Sequence, residues 1–102
     1  MRFGLPEHTI EQINGVFARH GLVHKAILYG SRAKGNFKPG SDIDLTLLGE
    51  GLTPREVDAI GSELDDLLLP YDIDLNVFHL LDHVALREHI ERVGVVFYQR
   101  AE

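Results

Sequence analysis

Two aspartates two residues apart, Asp42 and Asp44, follow a turn of small residues that carries a hydroxyl and two basic side chains, Gly30-Ser31-Arg32-Ala33-Lys34-Gly35. In an extended segment alternate side chains share a face, so both carboxylates project from one surface. Two such groups repel and desolvate each other unless something positive lies between them. A divalent cation does this, and Mg2+ commonly combines one or two protein carboxylates with substrate phosphates. The turn supplies the other half of that chemistry. The Ser31 hydroxyl and the backbone N–H groups after it can hold phosphate oxygens. Lys34 and Lys38 add positive charge. Arg32 either does the same or serves as a structural partner for a carboxylate.

A second stretch, Tyr71-Asp-Ile-Asp-Leu-Asn-Val-Phe78, repeats the alternation. Asp72, Asp74 and Asn76 share one face, and Ile73, Leu75 and Val77 the other. If the two acidic strands run parallel, a third carboxylate joins the first two. A two-metal site then becomes feasible, with ions roughly 3.5–4 Å apart. The alternation alone offers both Asp72 and Asp74 for that place, two residues apart on one face. Each residue also has a plainer role open to it. Ser31 could cap a helical turn, the glycines could satisfy turn geometry, and the acids could line a solvated sheet face.

Other chemistries fit less well. The turn lacks the glycine spacing and terminal Gly-Lys-Ser/Thr of a P-loop, and it is not a dinucleotide fingerprint. Ser31 has no Gly-x-Ser-x-Gly elbow, and no histidine can be tied to it. The chain has no cysteine, which removes thiolate zinc and cysteine nucleophiles and suits the cytosol. A net charge of -6 argues against general nucleic-acid binding. No apolar stretch approaches membrane-spanning length. The N-terminus has no apolar run before a cleavage site, so no signal peptide is expected.

The elements that must position these residues follow in order. Ile10, Ile13, Val16 and Phe17 predict a helix over 7–20, with Pro6 before it and Gly21 after it. Lys25–Tyr29 reads as a strand. The loop at 30–41 is too short for a parallel crossover, so a helical turn near Ser31 and an antiparallel return are expected. The second strand spans 42–48, with Ile43, Leu45 and Leu47 on its dry face. Thr53-Pro-Arg-Glu56 is a capping-box start, and the helix it opens should run over 53–69 with an acidic outer face. Strand 71–78, helix 82–93 and strand 95–99 complete the chain, the last a candidate edge strand. At 102 residues with an apolar fraction of 44%, the chain is enough for one domain over 1–102 and one modest core. The expected class is α+β, a small mixed sheet with helices packed on one face.

Gly30-Ser31, ten residues, then Asp42-Ile43-Asp44 resembles the signature of the DNA polymerase beta-like nucleotidyltransferase superfamily. The fuller strings Tyr29-Gly-Ser-Arg-Ala-Lys-Gly35 and Gly40-Ser-Asp-Ile-Asp-Leu45 are similar to its minimal nucleotidyltransferase (MNT) branch. Tyr71-Asp-Ile-Asp-Leu75 resembles the strand bearing that family's third carboxylate, with Asp74 in the matching place. The resemblance implies the polymerase beta-like fold. It also implies catalysis by Asp42, Asp44 and Asp74, which would hold two Mg2+ ions, and nucleotide contacts from Gly30, Ser31, Arg32 and Lys34. The reaction implied is transfer of AMP from ATP to a hydroxyl. Several MNT proteins are antitoxins that adenylylate a tyrosine of a small helical HEPN toxin, so the resemblance implies a cytoplasmic hetero-oligomer with such a toxin. A partner would supply the acceptor specificity that a small core lacks. A binding-only antitoxin, or transfer to a small molecule or an RNA end, are the rival readings.

Overall fold

The period-two alternation of the acidic strands decides how the chain layers. The computed structural model describes residues 1–101. Helix α1 spans Glu7–Arg19, strand β1 Lys25–Tyr29, helix α2 Ser31–Lys34 and strand β2 Ile43–Leu48. Helix α3 spans Pro54–Asp65, strand β3 Ile73–Val77, helix α4 Val84–Val93 and strand β4 Val95–Gln99. The sheet order is β3-β2-β1-β4, so β4 lies at an edge. Strand β1 pairs antiparallel with both β2 and β4, while β2 and β3 run parallel. The short loop after β1 gives the antiparallel return, and α3 provides the longer crossover that a parallel pair requires.

Ile43, Leu45 and Leu47 are fully buried. With Ala26 and Leu28 of β1 they meet Ile10, Ile13, Val16 and Phe17 of α1 and Ile60 and Leu64 of α3. The small mixed sheet and its helix-covered face are as expected. Helix α4 takes a different place. It lies beside β1 on the carboxylate face, where His89 meets the Tyr29 ring edge-on at 6.5 Å between centroids. Its apolar stripe is too sparse for a core position: Ile90 is buried, whereas Val84 is 66% exposed. The polar face is therefore partly roofed by α4.

Helix α3 ends four residues short of its expected limit. Asp65 and Asp66 place negative charge at the negative end of the helix dipole, and its last turn has no basic residue. Pro70 further disfavours helical geometry at Leu69. Leu68 instead adopts a positive φ of 53° and is exposed, while Leu67 and Leu69 still pack against the core. At the start of α3, Thr53 accepts the Glu56 N–H at 3.3 Å, as the capping sequence predicts. Glu56 does not complete the reciprocal box. Its carboxylate turns to His20.

His20, at the C-terminus of α1, joins the two core helices. Its Nδ1 lies 2.8 Å from Glu56, its Nε2 meets Glu63, and Arg19 also binds Glu63 at 3.1 Å. Burial alone pushes the imidazole pKa down, but hydrogen bonds to Glu56 and Glu63 and their charges outweigh it, so the net direction is upward. A raised pKa means that folding takes up a proton. The stabilisation is full below the unfolded histidine value, near 6.5, and is lost as pH rises through the higher folded value. We expect the melting temperature to fall across that window. The contribution is about 1 kcal/mol or less, or roughly 4–8 °C at its upper end. His20→Gln should flatten the slope in pH-resolved thermal melts. An unchanged slope would show that this cluster does not carry it.

Candidate functional site

The register of β2 and β3 decides which acids meet. Asp44 pairs directly with Asp74, and Thr46 with Asn76. Across β1, Tyr29 pairs with Asp44. One row of the sheet therefore presents Tyr29, Asp44 and Asp74 to the same face. Asp42 stands just before β2 on that face and is exposed. Asp72 precedes β3, where its carbonyl accepts the Ile43 N–H at 2.9 Å, and its exposed side chain is one step outside the paired row. The register thus favours Asp74 over Asp72 as Asp44's neighbour.

Gly30 and Ser31 join this row from the end of β1. Gly30 has φ 76° and ψ -156°, a region essentially confined to glycine. Its bare Cα faces Asp44, whose Oδ2 occupies the space where a Cβ would be. Gly30, not Ser31, takes the N-cap position of α2, and Ser31 is the first helical residue. The serine hydroxyl is therefore not used for that cap. Gly35 closes the turn in the left-handed region at φ 85°. Lys34 and Lys38 are exposed and enter no ion pair among the described residues.

Arg32 departs from the expected nucleotide contact. It is 2% exposed, and its guanidinium donates to the carbonyls of Phe3, Pro39 and Ser41. Those N–H groups point into the protein, so Arg32 holds loops in place instead of reaching phosphate. The sequence could not show this, because an arginine in a glycine-rich turn reads the same in either role.

The electrostatics are those of an unneutralised acidic site. Burial pushes the Asp44 carboxyl pKa up, and the charges of Asp74 and Asp42 push it further. Behind the carboxylates is a polar floor that sequence reasoning did not assign to the site. Asn76 Nδ2 donates to the Tyr29 hydroxyl at 2.8 Å. Burial raises the Tyr29 pKa; the Asn76 bond opposes this, and the charges of Asp74 and Asp44 reinforce it. Thr46 Oγ1 and Asn76 Oδ1 are buried without a hydrogen-bond partner. Alternation from Asp44 and Asp74 was the available signal for Thr46 and Asn76. Tyr29 gave none beyond its place before Gly30.

Hard oxygens dominate this row, which suits Mg2+ over softer metals. Among the described residues, no three histidine, cysteine or acidic side chains converge closely enough to hold an ion by themselves. A cavity of about 650 Å3 lies elsewhere, against His24, Leu48, Gly49, Glu50, Phe78 and His79. The carboxylates themselves stand on an open shelf.

A family model described as polymerase beta nucleotidyltransferase matches residues 11–102. The chain belongs to that family. Among solved structures, this nucleotidyltransferase is similar to a toxin–antitoxin crystal structure with AMP-PNP. The TM-score is 0.71 at 21% identity, covering 94% of this chain and 75% of the other. A MntA–HepT toxin–antitoxin structure gives a TM-score of 0.68 at 16% identity, covering 93% and 74%. The tri-AMPylated Shewanella oneidensis HEPN toxin in complex with its MNT antitoxin gives 0.68 at 17% identity, covering 92% and 72%. At these identities the likeness establishes the fold. No curated protein matches the chain. No helix among the described residues is long and apolar enough to cross a membrane.

Proposed function

We propose that residues 1–102 act as a minimal nucleotidyltransferase domain that transfers AMP from ATP to a hydroxyl, most simply a tyrosine, of a HEPN-type toxin and so serves as its antitoxin. The observation that carries the chemistry is the pairing of Asp44 with Asp74 beside Gly30–Ser31. The toxin–antitoxin complexes of the same fold, one with an AMPylated HEPN toxin, support the choice of acceptor.

In this reading Ser31 holds the terminal phosphates, and exposed Lys34 adds charge where pyrophosphate develops. Asp42, Asp44 and Asp74 would hold Mg2+, which when bound supplies charge neutralisation for the triphosphate and lowers the pKa of the acceptor hydroxyl. Asp74, at the open edge of the sheet, orients the incoming hydroxyl and receives its proton. The hydroxyl oxygen forms a bond to the α-phosphorus, and the bond from that phosphorus to pyrophosphate breaks. Rate enhancement comes from positioning and charge placement, so small displacements are costly. The open shelf leaves room for an acceptor carried on another protein, which would supply the remaining walls of the site.

The test is incubation of the protein with its cognate HEPN toxin, Mg2+ and ATP labelled at the α-phosphate. Label should appear on the toxin and disappear when Asp42 and Asp44 are both changed to alanine. Ser31→Ala should raise the KM for ATP about 10-fold, the equivalent of one charge-assisted hydrogen bond. Absence of label, together with full toxin neutralisation by the double-alanine protein, would overturn transfer in favour of neutralisation by contact.

A further inference from the structure

We propose that Arg32 is a positioning residue that sets the spacing between the phosphate-holding and metal-holding halves of the site. The inference rests on the nucleotidyl-transfer reading above. Arg32 immediately follows Ser31, and Ser41 immediately precedes Asp42. Arg32 Nε and Nη2 both donate to the Ser41 carbonyl, at 3.1 and 2.9 Å. This clasp closes the loop whose two ends are the serine hydroxyl and the first carboxylate.

The surrounding contacts stiffen the clasp. Nη2 also reaches the Pro39 carbonyl at 3.4 Å, and Nη1 donates to the Phe3 carbonyl at 2.9 Å. Ser41 locks its own turn: its hydroxyl accepts the Lys38 N–H at 2.9 Å, and its N–H donates to the Lys38 carbonyl at 2.9 Å. The guanidinium lies 5.1 Å from the centroids of both the Phe37 and Tyr71 rings. Tyr71 leads directly into the strand that carries Asp74. One planar group thereby touches the N-terminal turn, the loop before Asp42 and the approach to Asp74.

The choice of an arginine is itself informative. Burying a cation is costly unless its hydrogen bonds are met, and an apolar side chain would often fill such a space at less cost. A flat fork with several fixed N–H donors, however, can hold three carbonyls from two segments at set angles. A lysine provides the charge without the fork. No carboxylate pairs with Arg32 among the described residues, so its hydrogen bonds are with backbone oxygens alone.

The experiment compares the full-length protein with Arg32→Lys and, as a milder change, Phe37→Leu. Two quantities are read. One is amide exchange at residues 36–42. The other is Mn2+ affinity in the presence of a non-hydrolysable ATP analogue, followed by the spin resonance of the free ion. Arg32→Lys should speed exchange in the loop while leaving α1 and α3 protected. It should also weaken Mn2+ binding at least ~10-fold, the usual scale for removing a group that orients metal ligands. Phe37→Leu should move both in the same direction by less, and it decides the matter if Arg32→Lys does not fold. Unchanged loop exchange and unchanged Mn2+ affinity in a folded variant would overturn the proposal. If the unsubstituted protein binds no Mn2+ with nucleotide, the metal reading fails and this inference falls with it; the exchange arm then still reports whether Arg32 holds the loop.

Discussion

Asp44→Asn is expected to reduce nucleotidyl transfer by on the order of 10²–10³-fold while raising the melting temperature of the metal-free protein. The two effects have one cause. Asp44 is the carboxylate at the centre of the acidic row, paired with Asp74 and close behind Asp42. Burial and its two like-charged neighbours raise its pKa in the folded state. A carboxyl whose folded pKa lies above its unfolded value binds protons more tightly when folded. Stability therefore falls as pH climbs from the unfolded pKa through the folded one, and above that window the full penalty is present. At neutral pH the metal-free protein carries it. Asparagine removes the charge at nearly constant shape. The gain is no more than about 1 kcal/mol, because Asp42 and Asp74 remain open to water and screened.

With Mg2+ and a nucleotide present the sign should reverse. The unsubstituted protein gains stability from a ligand that binds only the folded state, and the substituted amide offers one neutral oxygen where a carboxylate stood. Thermal melts with and without Mg2+ and a non-hydrolysable ATP analogue, paired with label-transfer rates, check both halves. An Asp44→Asn protein less stable than the parent in chelator would show that repulsion in the acidic row does not govern stability. Transfer within about 3-fold of the parent would remove Asp44 from the metal set.

Strand alternation and turn chemistry make most of this candidate arrangement legible in the sequence. Ile43, Leu45 and Leu47 against Asp42 and Asp44 set the two faces of β2, and the same pattern set those of β3. The length of the α3 crossover made a parallel pair reasonable, and the structure fixes its register at Asp44 opposite Asp74. What stayed hidden was directional. Nothing local distinguishes an arginine aimed at phosphate from one aimed at its own loop, and only the Phe3, Pro39 and Ser41 carbonyls decide it. The position of α4 was hidden for a similar reason. A sparse apolar stripe specifies that a helix packs, but not on which side of the sheet. The Tyr29–Asn76 bond joins residues far apart in sequence, so it needed the register first.

Gly30→Ala should cost both stability and activity, and the two losses should come apart. The backbone at Gly30 occupies a φ, ψ region that a side chain enters only under strain, of order 1–3 kcal/mol. The added methyl group would also press against Asp44 Oδ2. A total near 2–3 kcal/mol lowers the melting temperature by roughly 10–20 °C in a domain of this size. Many such variants remain folded at about 20 °C, and there the activity can be read on its own. Relief of the contact requires Asp44 to swing away from Ser31 or the turn to shift as a unit. Either movement separates the hydroxyl from the carboxylate row, and misplacement by about 1 Å can cost on the order of 10²-fold in rate. A second substitution distinguishes the two losses. Adding Asp44→Ala to Gly30→Ala should recover more stability than Asp44→Ala gains alone, because the side chain pressed against the methyl group is gone, yet should recover no transfer. If the two substitutions instead add independently in thermal melts, the glycine is needed for its backbone angles alone, and Asp44 makes no demand on the space beside it.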